Sequence, residues 1–298
     1  MRYSLIGGDV RFKRLRDILK ADGHGVRSFA LGAKEDEKTL ADALGGADCV
    51  ILPLPMLGKN GILNAPFYEK SIALEELKPY IGDKTLVLGG AVKTETPFPV
   101  TDYFRREELT VKNAALTAEG AVRILMSEME IALTDSKIVI AGAGRIGKLL
   151  AVKLRALGAE VTVTARKEGD LALIRELGCD WCRTENLRLC AREADALVNT
   201  VPARIIDASV LRSMKKEVIL LDLASSPFGH DPDEAAAIGV RSMFAPGLPG
   251  RAAPRSRRLF RPCGAPGDFL HSQRASLPIC FCGSHFGHVP RQPTGWRV

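Results

Sequence analysis

A short glycine-rich segment, residues 142–147, constrains the fold of this chain more than any other stretch. It reads G-x-G-x-x-G and follows an apolar run, residues 137–141, of the kind that forms a buried parallel strand. A helix pattern comes next at residues 148–157, and a second apolar strand is predicted at residues 160–165. A strand, a glycine loop, a helix and a second strand within about thirty residues are typical of a dinucleotide-binding unit.

Each glycine of this segment has a different expected task. Gly142 would permit the tight turn, Gly144 would let a pyrophosphate approach the backbone, and Gly147 would let the helix pack closely on the strand. The phosphates would lie at the helix N-terminus, where peptide N–H groups bind anions. The cofactor-binding residues predicted from this loop are Gly142, Gly144, Arg145, Ile146 and Gly147. The alternative is a Rossmann-like unit that binds no nucleotide.

The end of the second predicted strand indicates which dinucleotide binds. An NAD-selective fold is expected to have Asp or Glu there, as acceptor for the ribose 2′-hydroxyl, but this strand ends in Arg166-Lys167. A planar guanidinium and an ammonium group favour a 2′-phosphate. We therefore predict NADP(H) over NAD(H), with Arg166 and Lys167 as cofactor-binding residues. The alternative is two solvated surface charges.

Strands alternate with helices along the rest of the chain, which predicts parallel sheets with helices on their faces. The other predicted strands lie at residues 3–7, 26–31, 49–54, 85–88, 196–199, 218–223 and 241–244. We expect an α/β fold with two Rossmann-like, doubly wound, parallel-sheet domains joined by a crossover helix. The predicted divisions are a substrate or partner domain (1–118), the crossover helix (119–136), an NADP-binding domain (137–250) and a tail (251–298).

Ligands of such sheets bind beyond the carboxyl ends of the strands. Thr200, Val201 and Pro202 follow the strand predicted at residues 196–199, and we expect them to pass close to the nicotinamide ribose. A polar block at residues 113–120 is expected to precede the crossover helix at residues 121–133. Helix capping explains its threonine and glutamate as well as a substrate contact does, and the two roles are compatible.

The composition limits the classes of partner. The formal net charge is +7, but the eight arginines and single acid after residue 250 account for all of it, so residues 1–250 are formally neutral. A neutral body does not attract a polyanion, which argues against nucleic acid as a partner. No apolar run approaches the length of about eighteen residues needed for a membrane span, and no signal peptide is recognisable. We expect a soluble intracellular protein without a membrane contact.

Residues 251–298 differ sharply from the rest. They contain six prolines, eight arginines and no lysine, and a segment without a continuous apolar face is expected to be disordered. A shift of reading frame near Pro254 in a GC-rich gene would explain this composition, and resequencing the source DNA would test that hypothesis. The C-x-C and H-x-x-H spacings of Cys280, Cys282, His285 and His288 fall outside the usual zinc spacings, so we predict no metal there. No second C-x-x-C follows that of Cys179 and Cys182, which we expect to be reduced thiols.

Several motifs along the chain resemble, in kind and in order, those of the A component of the dipicolinate synthase family of endospore-forming bacteria. They are IGGD (6–9), N-x-x-x-T-x-E-G (113–120), G-x-G-R-x-G (142–147), Ala165-Arg166, NTVP (199–202), DLAS (222–225) and APGLPG (245–250). The family continues with an A-P-x-T-A-G turn and a long helix, whereas this chain keeps only Ala253-Pro254. That departure agrees with the frameshift hypothesis.

The resemblance implies a reaction, a partner and a location. A hydroxy-tetrahydrodipicolinate, a small dicarboxylate, would be dehydrated and oxidised to dipicolinate with NADP⁺ as acceptor, in the cytoplasm of the mother cell of a sporulating bacterium. The partner would be the flavoprotein-like B component of dipicolinate synthase, and a homo-oligomer is also allowed. The catalytic candidates are Asn113, Thr117, Glu119 and Ser225, with Gly247 also near the substrate. Glu119 would be the general base if burial raised its pKa.

Two other functions remain open. A two-domain 2-hydroxy acid dehydrogenase also resembles this architecture, and such enzymes use a histidine paired with an acid. Outside the tail this chain has only His24 and His230, and neither follows the last strand, where that histidine is expected. The second alternative is a nucleotide-binding regulatory protein that does no chemistry.

Overall fold

The computed structural model of the chain describes residues 1–58 and 61–249, and it contains two parallel sheets. The predicted α/β class with two doubly wound sheets is confirmed. The predicted disorder and frameshift of the tail, and its alternative zinc ligands, lie outside the described residues. Within the described residues no helix is long and apolar enough to cross a membrane, and no group of three or more His, Cys, Asp or Glu side chains is arranged to hold a metal ion.

The first sheet has five strands in the order β2-β1-β3-β4-β5. This order is the flavodoxin-like form of a doubly wound sheet, whose switch point lies between β1 and β3. Its strands are β1 (Arg2–Ile6), β2 (Gly25–Phe29), β3 (Cys49–Ile51), β4 (Leu86–Gly89) and β5 (Thr101–Asp102), and its helices are α1 (Val10–Ala21) and α2 (Leu40–Leu44), with a 3₁₀ turn at Leu74–Tyr80.

The second sheet has six strands in the order β11-β10-β9-β6-β7-β8, and all neighbouring pairs are parallel. This is the Rossmann order, with the switch point between β6 and β9. Its strands are β6 (Lys137–Ala141), β7 (Glu160–Ala165), β8 (Asp180–Arg183), β9 (Ala196–Asn199), β10 (Ile219–Asp222) and β11 (Arg241–Phe244). Its helices are α4 (Arg145–Ala156), α5 (Glu168–Glu176), α6 (Leu187–Ala191), α7 (Ala208–Leu211) and α8 (Pro232–Ile238).

The helix between the sheets, α3, spans Glu107–Glu128, so the prediction that residues 113–120 precede a helix at 121–133 is wrong. Thr117 therefore caps no helix, and its hydroxyl donates to the Asn113 carbonyl at 2.8 Å within the helix. Asn, Thr and Gly are weak helix formers, but each costs only about 1 kcal/mol or less, and burial of the neighbouring apolar side chains outweighs that cost.

The core explains why β6 is apolar after its exposed first residue, Lys137. Ile138 and Ile140 pack in one buried cluster, and Val139 and Ala141 belong to the cluster on the opposite face of the sheet. The first cluster also contains residues of α3, namely Ala118, Ala121 and Leu125. Helix α3 is thus part of the core of the second sheet.

Candidate dinucleotide-binding site

A cleft of about 340 Å³ lies at the carboxyl edge of the second sheet, beyond the ends of β6, β7 and β9. Because β6 lies between β7 and β9, the cleft runs from the end of β7, across the glycine loop, to the loop that follows β9. Its lining residues are Gly142, Ala143, Gly144, Thr164, Ala165, Arg166, Lys167, Asp170, Thr184, Thr200, Val201, Pro202, Ala203 and Ile205.

The three glycines of the loop occupy three different environments. Gly142 has φ +106°, a left-handed conformation that disfavours other residues. A Cβ atom at Gly144 would meet no atom within 4 Å, so this glycine faces open space. A Cβ atom at Gly147 would lie 1.9 Å from the Gly142 carbonyl oxygen, which shows how closely α4 packs on the loop. Space for a ligand therefore exists at Gly144, while the other two glycines shape the backbone around it.

The N-terminus of α4 supplies hydrogen-bond donors to this space. The helix begins at Arg145 after Gly144, and no side chain of the described residues caps it. Lys148 is the first residue whose N–H bonds within this helix, to the Gly144 carbonyl at 3.0 Å. The preceding peptide N–H groups and the helix dipole make this end an anion site, to which Ile146 contributes through its backbone.

The β7 end of the cleft carries two cations. Arg166 and Lys167 are exposed, line the cleft, and form no ion pair or side-chain hydrogen bond with any described residue. The neighbouring carboxylate, Asp170, is already paired with Lys148 at 2.7 Å. This end of the cleft therefore offers positive charge that is not neutralised within the described residues.

The β9 end is held firmly to the glycine loop. The Thr200 hydroxyl donates to the Ala141 carbonyl at 2.9 Å, and the Thr200 N–H bonds the same oxygen at 2.9 Å. Val201 also packs against Gly142, where an added Cβ would lie 2.6 Å from its side chain. The predicted residues Thr200, Val201 and Pro202 thus lie together in the cleft, opposite Arg166 and Lys167.

A buried polar network behind the β9 loop was not predicted from the sequence. Asn199 and Asp222 are register partners at the ends of β9 and β10, and the Asn199 amide donates to Asp222 Oδ1 at 2.8 Å. Asp222 also accepts from the Ala224 N–H at 3.0 Å and the Gly229 N–H at 2.7 Å. His230 Nδ1 lies 3.2 Å from Asp222 Oδ2. A polar residue ending each of two buried strands was the available sequence signal.

Hydrogen bonding keeps Asp222 ionised. Burial raises the pKa of this carboxyl, but bonds from His230, Gly229, Asn199 and Ala224 outweigh that effect and hold it below its usual value. The stability that the carboxylate contributes is complete above the ordinary pKa of 3.8 and is lost as the pH falls through the lower folded-state pKa.

We expect Asp222→Asn to flatten the acid dependence of stability. The variant should be less stable than the wild type at neutral pH, yet lose less free energy of unfolding between about pH 4 and pH 2, because it lacks a carboxylate whose pKa falls on folding. Urea unfolding at a series of pH values measures this. Equal acid slopes for the two proteins would contradict the expectation.

Arg145 does not point into the cleft. Its guanidinium forms a two-pronged ion pair with Glu107 in the first turn of α3, with Nε 2.6 Å from Oε1, and both side chains are more than half exposed. This pair holds the pKa of the Glu107 carboxyl below its usual range. The predicted cofactor contact of Arg145 is therefore left to its peptide N–H, which lies at the helix N-terminus.

The predicted catalytic residues are not gathered at one point. Thr117 is buried in α3, and Asn113 is half-buried one turn earlier. Glu119 is exposed and pairs with Lys153 at 3.2 Å, roughly 12 Å along α4 from its first residue. Ser225 is exposed in the loop after β10, at the same edge of the sheet as the cleft. Glu119 is exposed rather than buried, whereas the general-base hypothesis assumed burial, and all four roles stay predictions.

We expect Glu119→Gln to have little effect on folding. An exposed ion pair contributes about 0.5 kcal/mol or less, so the free energy of unfolding and the affinity for dinucleotide should both be nearly unchanged. Chemical unfolding and nicotinamide fluorescence titration measure these quantities. Full turnover by this variant would remove Glu119 from the catalytic candidates, whereas lost turnover with intact binding would retain it.

Comparison with known proteins relates both halves to described families. Residues 2–103 match the family model of the N-terminal domain of dipicolinate synthase, A component. Residues 110–235 match that of the D-isomer specific 2-hydroxyacid dehydrogenase, NAD binding domain. The A component of dipicolinate synthase from Bacillus subtilis (strain 168) is 29% identical over 276 residues, covering 86% of this chain and 91% of that protein.

Solved structures agree with the sequence relatives. The crystal structure of the same component of dipicolinate synthase from Bacillus halodurans is 28% identical, with a TM-score of 0.75, and the match covers 85% of this chain and 92% of that one. The chain is thus similar to the A component of dipicolinate synthase over most of its length. A transhydrogenase from Sinorhizobium meliloti shares only the fold, at 19% identity and a TM-score of 0.57 over 84% of this chain and 89% of that one.

These matches confirm the predicted resemblance to dipicolinate synthase. Together with the NAD-binding family model, they support a nicotinamide dinucleotide as cofactor and a role as an oxidoreductase. The glycine loop, the helix N-terminus and the two cations at the β7 end fit such a cofactor.

Neither histidine of the described residues is placed to serve as the catalytic histidine that the 2-hydroxy acid dehydrogenase alternative requires. His230 does pair with an acid, Asp222, but neither side chain has any exposed surface. A buried pair cannot exchange protons with a substrate in the cleft. His24, the other histidine of the described residues, packs against Tyr3 in the first sheet, with ring centroids 5.2 Å apart. The match to that dehydrogenase family therefore concerns the nucleotide-binding half.

Proposed function

We propose that this chain is the NADP-dependent oxidoreductase component that forms dipicolinate from hydroxy-tetrahydrodipicolinate during sporulation. The observation that carries the choice of NADP is the pair Arg166 and Lys167, which line the cleft at the end of β7 without a partner among the described residues. Similarity in sequence and structure supports the reaction, because the related proteins are named as dipicolinate synthases.

The charge at the β7 end favours NADP over NAD. A 2′-phosphate has two negative charges and several acceptor oxygens, which suit the planar donors of Arg166 and the ammonium group of Lys167. No Asp or Glu ends the strand to accept a ribose 2′-hydroxyl, since β7 ends in Ala165. Asp170 would repel a phosphate only weakly, because Lys148 neutralises it.

Bound NADP⁺ would supply the hydride acceptor for the oxidation. The chain's own residues would orient it: the N–H groups at the start of α4 bind the pyrophosphate, and Thr200 to Pro202 contact the nicotinamide side. Dehydration and oxidation of the dicarboxylate yield an aromatic ring, so the task left to the protein is to hold the substrate and neutralise its carboxylates. Asn113, Thr117, Glu119 and Ser225 are the proposed catalytic residues.

The proposal includes a partner and a location. Relatives that are named as one component of a synthase imply a second, and we propose the B component of dipicolinate synthase as partner in the mother-cell cytoplasm. The only ionisable side chains lining the described part of the cleft are Arg166, Lys167 and Asp170, and none is an evident proton donor or acceptor for the reaction. This observation favours a requirement for the partner over activity of the chain alone.

Titration of the purified chain with NADPH and NADH, followed by nicotinamide fluorescence, tests the cofactor. We expect NADPH to bind more tightly, and equal dissociation constants would exclude the choice of NADP. A synthase assay with and without the B component tests the reaction. Dipicolinate formation in the presence of the B component is expected, whereas NADPH binding without any product would leave a non-catalytic nucleotide-binding role as the function.

A further inference from the structure

The loop after β9 is fixed by side chains that never reach the cleft. Asn199 forms two hydrogen bonds with the backbone of Val201: its amide donates to the Val201 carbonyl at 3.0 Å, and its Oδ1 accepts from the Val201 N–H at 3.1 Å. Val201 lines the cleft, whereas Asn199 is fully buried. The position of the lining backbone therefore depends on how the Asn199 side chain is oriented.

Asp222 sets that orientation from the neighbouring strand. It accepts from the Asn199 amide and also from the Gly229 N–H. The Gly229 carbonyl in turn accepts from the N–H groups of Ile205 and Ile206, at 3.2 and 2.9 Å. These hydrogen bonds thus connect both ends of the cleft-lining loop to the loop that follows β10.

A buried carboxylate is costly unless each of its acceptor sites is used. Asp222 has no exposed surface, and His230, its only ionisable partner among the described residues, stacks on Phe244 with ring centroids 4.7 Å apart. An apolar residue at this strand end would avoid the cost of burying charge, but it would leave both loops without their common acceptor. The polar network therefore fixes the position of the backbone at the cleft as well as filling the interior.

We propose that Asn199 and Asp222 are positioning residues that set the backbone of residues 201–203 against the nicotinamide half of the dinucleotide. The inference rests on the proposed cofactor function. The network touches only the β9 side of the cleft, while Arg166 and Lys167 lie on the β7 side, across β6. Disturbing the network should thus weaken contacts to one half of the cofactor and spare the other.

Two ligands distinguish the halves. NADPH occupies both halves of the site, whereas adenosine 2′,5′-bisphosphate would occupy only the β7 half. For Asp222→Asn we expect NADPH to bind about tenfold more weakly, while the affinity for the bisphosphate stays within about twofold, since one charged hydrogen-bond acceptor is lost on the β9 side. Isothermal titration calorimetry measures both affinities without any enzymatic turnover.

A second variant disturbs the network without changing the charge of any side chain. A Cβ atom at Gly229 would lie 2.3 Å from the Asn199 amide nitrogen, so Gly229→Ala should displace that side chain and give the same selective loss. The matched control is Asp195→Asn, the same chemical change at an aspartate that pairs with Lys215 at 2.7 Å and directly precedes β9, on the edge of the sheet opposite the cleft. It should leave both affinities unchanged.

The possible results distinguish a failure of this inference from a failure of the proposed cofactor function. Selective loss of NADPH affinity in both variants supports it. An equal loss for both ligands would assign Asn199 and Asp222 to folding alone and overturn it, as would unchanged NADPH binding. A wild-type chain that binds neither ligand would overturn the proposed function and this inference with it.

Discussion

Gly147→Ala is expected to abolish dinucleotide binding and to destabilise the second sheet. The added methyl group would lie 1.9 Å from the Gly142 carbonyl oxygen, a backbone atom that cannot rotate away. Either α4 or the glycine loop must move, and overpacking of this kind costs about 3 kcal/mol. Because α4 presents its N-terminal N–H groups to the cleft, even a small shift removes the predicted pyrophosphate site.

Two other glycines serve as comparisons for this variant. Gly169 in α5 is exposed and has no atom within 4 Å of an added Cβ, so Gly169→Ala should leave stability and binding unchanged or raise stability slightly. Gly144→Ala also has room and should fold normally, but its methyl group would enter the cleft and weaken binding. Chemical unfolding and NADPH titration of the three variants measure these effects. Normal NADPH binding by Gly147→Ala would show that the loop is not the cofactor site.

Replacing Arg166 and Lys167 together by glutamine is expected to weaken NADPH binding by at least roughly 100-fold, since each charged hydrogen bond to a phosphate contributes about 1.5–3 kcal/mol. NADH lacks the 2′-phosphate, so its affinity should change little. The difference between the two cofactors is the test, because a general loss of folding would weaken both.

A control for charge is Arg241→Gln, at the amino end of β11 on the opposite edge of the same sheet, where the arginine pairs with Glu128. This variant should bind NADPH and NADH as the wild type does. Fluorescence titration at several salt concentrations adds a further check, because the NADPH preference of the wild type should weaken as salt rises. Equal losses of NADPH and NADH affinity in the double variant would contradict the assignment of the 2′-phosphate to these two residues.

The sequence was most informative where one physical requirement dominates. Strands β6, β7, β9 and β11 were predicted with the bounds that the structure gives. For β6 and β9 the signal was a nearly continuous apolar run, which a parallel strand needs when both faces of the sheet are covered. The edge strand β8, Asp180–Arg183, was missed because it is polar and mostly exposed, and β5 was missed because it has only two residues. The start of α3 was misplaced because weak helix formers near its middle resembled a boundary.

The residues of the candidate site also fall into those that the sequence predicted and those that it did not. The glycine loop and the two cations were recognisable because each belongs to one continuous segment with a known task. The network of Asn199, Asp222 and His230 was not recognisable, because it joins positions that are 23 and 8 residues apart in the chain. Only the register of β9 with β10 brings the first two together, and the sequence does not specify that register.

The burial of α3 in the core of the second sheet limits which segments of this chain recombination can exchange without loss of the core. Without the helix, the part of this core that Ala118, Ala121 and Leu125 fill would be empty, so natural recombination that exchanged only residues 137–249 would pass on an incomplete core. The smallest stretch that carries its own apolar cover begins at Glu107. The region shared with the dehydrogenase family starts at residue 110, which places nearly the whole helix within the segment that different enzymes have in common.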